Sequence, residues 1–131
     1  MDDAGCLEHT LALVAQRVGD PAPLVFAQLF AESPELQPLF CNDTSGAVRG
    51  EMFLRAIECL QDAAGPQQYG SSLVAAEHLT HQGYGVPTDQ FQRFFRVLVD
   101  VFRQTLGADW TPEIDQAWAR ALQQMARATA T

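Results

Sequence analysis

The sequence predicts an all-α fold of six to seven helices, and three observations carry that expectation. Apolar residues recur at helical spacing in one segment after another along the 131 residues. Strand signals are almost absent, with no clean period-two run and no Asn-Gly or Asp-Gly hairpin turn. Helix start and stop signals punctuate the chain instead: Ser, Thr or Asp ahead of Pro, and Gly behind an apolar face.

The first helix is expected from about Asp3 to Val18, with Leu7, Leu11, Val14 and Val18 on one face and Gly19 ending it. Asp20 then reads as an N-cap and Pro21 as a first helical residue, because proline has no N–H to leave unpaired there. Val25, Phe26, Leu29 and Phe30 form the apolar side of this second helix. Ser33, Pro34 and Glu35 repeat the start signal for a short turn carrying Leu36, Leu39 and Phe40. "CNDTSGA" is a loop by composition. A helix over about 47–63 follows, lined by Val48, Met52, Ala56 and Leu60 with Phe53 and Ile57 beside them. "AGPQQYGSS" breaks it, and a helix from about Ser72 to His81 comes next. After the turn "GYGVP", Thr88 caps a long helix whose Phe91, Phe94, Phe95, Leu98, Val101, Phe102 and Thr105 make one face up to Gly107. Thr111 and Pro112 start the last helix, with Ile114, Trp118, Leu122 and Met125 inside. Helices of such uneven length suit a fold that packs them across one another better than a four-helix bundle.

The totals fit a single domain over 1–131 with a substantial core: 47% of the residues are hydrophobic. A net charge of -8, with only 8 Lys and Arg, argues against nucleic acid and anionic membranes as partners. No apolar run is long enough to span a bilayer. Cys6, Cys41 and Cys59 are odd in number and lack CxxC spacing, which fits a reducing cytoplasm rather than a disulfide framework or structural zinc. The acidic start "MDDAGCLEHT" does not read as a signal peptide.

Two of the three histidines, His78 and His81, stand three residues apart in "HLTHQGYGV". Three readings compete: ordinary helix residues, part of a zinc site, or an axial ligand to haem iron. Zinc needs further ligands, and His9 lies in another helix without a supporting pattern. Haem iron needs only one protein ligand, since the porphyrin supplies four nitrogens. Spacing alone does not choose among them.

Three stretches do. "LFAESPELQPLF" places Phe30, Pro34 and Phe40 at the spacing of a globin's second helix and the corner after it. "HQGYGV", residues 81–86, resembles the end of the helix that supplies a globin's proximal histidine, and "LGADWTPEIDQAW", residues 106–118, resembles the join between its last two helices. The sequence is similar to single-domain bacterial globins, related to the globin domain of flavohaemoglobins, from about Val14 to Met125. That resemblance implies a globin fold around haem b, with His81 as the iron's proximal ligand and Phe40 stacked on the haem. It implies cofactor contacts from Tyr84, Val86 and Phe91 as well. His78 falls where the family has a small residue and Glu77 where it has an apolar one. His78 is either a haem-edge residue bonded to a propionate or a solvated helix residue.

On the distal side, the resemblance puts Phe26, Phe40, Val48 and Met52 around the gas site. None of these donates a hydrogen bond, so oxygen should exchange fast while CO and NO suffer less. Phe91 stands where flavohaemoglobins carry a proximal tyrosine, and no flavin or nicotinamide module follows. The implied function is reversible binding of O2, CO or NO by a monomer or homodimer. The alternatives are an NO dioxygenase working with an external reductase, or a gas or redox sensor acting through a partner. Catalysis is thus left open, with ligand binding favoured.

Overall fold

A computed structural model describes residues 1–65 and 69–129, and among these every regular element is helical. Helix α1 (Asp3–Val18) starts under Asp2, whose carboxylate accepts the Gly5 N–H at 2.8 Å, and stops at Gly19. Val18, expected on the inner face, is exposed, while Arg17 beside it donates to the carbonyls of Thr105 and Leu106 at the end of a later helix. Helix α2 (Ala22–Glu32) has Pro21 at its cap position, one place earlier than expected. Asp20 still serves the first turn by accepting the Ala22 N–H at 3.0 Å. Pro34–Phe40 is a 3-10 segment; Pro34 starts it and Pro38, inside it, lacks the N–H that an α ladder would need.

Helix α3 (Ala47–Ala64) is capped from outside its own start. Gly46, at φ 81°, turns the chain so that the Asp43 carboxylate accepts the N–H groups of Val48 (3.1 Å) and Arg49 (3.0 Å). Helix α4 (Tyr69–Gly83) begins earlier than the expected Ser72 and runs beyond His81. Part of the expected break, residues 66–68, lies outside the described residues. At its end Gly85 takes φ 82°, and the N–H groups of Tyr84 and Val86 both reach the His81 carbonyl, at 3.0 and 2.9 Å. Helix α5 (Thr88–Leu106) has Pro87 rather than Thr88 at its cap, which leaves the Thr88 hydroxyl for other partners. A 3-10 turn (Gly107–Asp109) leads to α6 (Pro112–Thr129), where Thr111 accepts the Ile114 N–H.

Helix α5 buries the apolar face expected of it from Phe91 to Phe102, with Thr105 half-buried. Each such side chain contributes roughly 1.5–3 kcal/mol on burial, which makes α5 the axis of the core. Helices α1, α2 and α6 pack against it, and α6 also touches α3 and α4. Trp118 is fully buried with its ring edge on Phe102, and its indole N–H donates to Thr10 Oγ1 at 3.1 Å. Helices α3 and α4 lie against each other and add Phe53, Ile57, Leu60 and Val74 to this core. No described helix is long and apolar enough to cross a membrane.

Candidate functional site

Between α3, α4, the 3-10 segment and the first turns of α5 lies a cavity of about 760 Å³. That is ample for a drug-sized planar ligand. The 3-10 segment contributes Leu36, Leu39 and Phe40; α5 contributes Phe91, Phe94 and Phe95. Helix α3 presents Val48, Met52, Ala56 and Cys59 at successive turns. Helix α4 presents Val74, Glu77 and His81 at its own helical spacing, and the following turn adds Tyr84 and Val86. The lining is mainly apolar. Tyr84 (77% exposed) and Val48 (55% exposed) stand at the rim, while Val86 and Phe91 lie deep.

His81 is the one histidine on this wall. Its Nδ1 lies 2.7 Å from the Glu77 carbonyl oxygen, one turn back in α4. A carbonyl only accepts, so Nδ1 carries a proton, and in the neutral imidazole the lone pair is then on Nε2. That tautomer is the one an imidazole needs to ligate a metal through Nε2, with the second nitrogen fixed by a backbone acceptor. The Phe91 ring packs edge-on against the imidazole at 5.0 Å.

Seven residues expected at a cofactor or metal site surround this one cavity: Phe40, Val48, Met52, His81, Tyr84, Val86 and Phe91. Two expected ones do not. Phe26 is buried one layer behind the wall, its ring against Phe40 (5.5 Å) and Phe94 (5.3 Å). Leu29, less than one turn on, is the α2 residue that reaches the cavity. His78 is neither solvated nor on the cavity wall. It is 2% exposed, and its Nε2 lies 2.8 Å from Thr88 Oγ1.

The wall also carries polar groups that sequence reasoning missed. Glu51 and Arg55 line it and face each other at 3.7 Å; Asn42, Glu77 and Gln90 line it too. Cys59 is buried there, and its thiol is pushed up to about 11, by burial first and then by the nearby Glu77 and Glu58 carboxylates. It is therefore a neutral thiol at physiological pH. The helical spacing 48, 52, 55 and 56, 59 is the signal that could have found Arg55 and Cys59. Arg49, near the rim, is held by Asp43, with Nε 3.0 Å from a carboxylate oxygen. Burial alone would raise the Asp43 carboxyl, but the Arg49 and Val48 N–H donors and the Arg49 guanidinium outweigh it and hold it below 3.8.

The family model described as Globin matches residues 24–129, which takes in every wall of this cavity. No curated protein and no solved structure gave a match.

Proposed function

The chain belongs to the globin family, and on that premise we propose that it binds haem b between α3 and α4, with His81 as the iron's axial ligand. The observation that carries this reading is the bond from His81 Nδ1–H to the Glu77 carbonyl, which leaves a basic Nε2 on a residue of the cavity wall. The residues present fit such a group: a mainly apolar slot takes a porphyrin face, and Phe40 and Phe91 supply flat apolar contacts. When bound, the haem supplies an iron that takes up O2, CO or NO reversibly.

The chain's own part is to hold and shield that iron. The acceptor behind His81 is a neutral carbonyl, which draws less on the Nδ1 proton than a carboxylate would. That arrangement suits reversible binding better than cleavage of an O–O bond. Met52, Val48 and Phe40 on the wall of the same cavity would offer a bound gas no hydrogen-bond donor. Arg55 does carry donors, but it faces Glu51. An external reductase is the partner such a globin would need to return to the ferrous state.

The test is His81→Gly. The variant should bind haem weakly and lose the wild-type ferrous spectrum, and added imidazole should restore both. A variant with the wild-type spectrum and no need of imidazole would overturn the assignment.

A further inference from the structure

We propose that His78 is a positioning residue for His81: through Thr88 it ties the end of α4 to the start of α5, and so fixes the height and rotation of the proximal imidazole. This rests on the haem reading above. His78 is buried, and burying an imidazole is costly unless its polar atoms are paired. Its Nε2 meets Thr88 Oγ1 at 2.8 Å, and Gln82 Nε2 donates to the same hydroxyl at 3.4 Å. Two side chains ahead of the Tyr84–Pro87 turn thus converge on one oxygen behind it. The turn itself leaves little slack, since the Val86 N–H holds the His81 carbonyl and Gly85 sits at φ 82°.

Phe91 passes this constraint on to His81. Its ring lies 5.2 Å from the His78 imidazole and 5.0 Å from that of His81, so one ring packs against both histidines. Thr88 and Phe91 are three residues apart on α5, as His78 and His81 are on α4. The bond sets α4 against α5 and the shared ring sets the two imidazoles against each other. His81 is also held by the Glu77 carbonyl, but that contact lies within α4 and moves with it. Of the two bonds that tie the end of α4 to Thr88 on α5, the one from His78 is the shorter and the less exposed, at 2.8 Å against 3.4 Å. An apolar residue at 78 would fill the space without fixing that relation.

The experiment uses the full haem-loaded chain and reads two quantities: the iron–histidine stretching band of the ferrous unliganded form, and the rate of haem loss to an acceptor apoprotein. His78→Leu and Thr88→Val should each speed haem loss about tenfold and shift or broaden the band. The double variant should be no worse than Thr88→Val alone, because Thr88→Val already removes the bond that His78→Leu removes, together with the longer one from Gln82. His78→Gln, which keeps a polar atom at the Nε2 position, and Thr88→Ser should return towards wild type. A folded His78→Leu or Thr88→Val with the wild-type band and rate would overturn the proposal, and so would effects that add. Thr88 is only partly buried, so Thr88→Val carries the test if His78→Leu loses its helicity. If wild type took up no haem, the haem reading and this inference would fall together. Uptake with unchanged variants would overturn the inference alone.

Discussion

At Cys59 the cavity wall carries a thiol whose proton is held tightly, whereas Cys41 is exposed on the loop before α3. A thiol with pKa about 11 is ionised to roughly one part in a thousand at pH 8. Cys6 is buried as well, and burial followed by the Glu113 carboxylate raises its thiol. A small aromatic disulfide at neutral pH should therefore react quickly with one thiol per chain, and Cys41→Ser should abolish that fast phase. A second fast thiol in the folded protein would contradict the burial of Cys59. Residue by residue, the sequence made the ring of apolar contacts legible and the polar ones much less so. Periodicity marks which residues share a helix face, but not how the helix is rotated against its neighbour. Phe26 and Leu29 share such a face, and only packing decided that Leu29 reaches the cavity. Arg55 and Glu77 line an apolar wall because long side chains lay their methylene stems along it. His78 read as either a haem-edge residue or a solvated one, and its partner Thr88 read as a helix cap, so neither reading foresaw the bond between them.

At the scale of elements, α3 depends on a cap outside the helix. Asp43 is ionised while it accepts the Val48 and Arg49 N–H groups. Its folded pKa lies below 3.8, so the stability it contributes is complete above that value and is lost as the pH falls through the folded value. Asp43→Asn should therefore be less stable than wild type at pH 6, by urea unfolding, and the gap should narrow below about pH 3.8. A gap that stays constant down to pH 2 would contradict this role. Element boundaries were legible where a local signal decided them. Gly19 ended α1, Pro34 and Phe40 bounded a distinct segment, and Gly107 closed α5. They were illegible where tertiary contact decided. Helix α4 begins ahead of Ser72 although Gly70 and Ser71 are weak helix formers, and α3 and α6 both pack against it.

At the scale of the whole molecule, one amphipathic helix, α5, gathers the other helices on one side and closes the cavity with its first turns on the other. The family could be read from ordered motifs, and the family model agrees over residues 24–129. The consequence for gas binding follows from the wall of the cavity that His81 lines. A hydrogen bond to a charged or strongly polarised ligand is worth about 1.5–3 kcal/mol, or roughly ten- to a hundredfold in affinity. With Met52, Val48 and Phe40 there instead, the ferrous oxygen off-rate should be fast, and Met52→Gln should slow it about tenfold or more. An off-rate already slow in wild type and unmoved by Met52→Gln would place a donor elsewhere, with Arg55 the first candidate. The central claim, a haem held by this chain, is tested most directly by titrating haem into the purified protein and following the Soret band, then reducing and adding CO. The account predicts saturation at one haem per chain and a ferrous Soret band that sharpens and shifts with CO. No saturable uptake, with the helical circular dichroism intact, would contradict it.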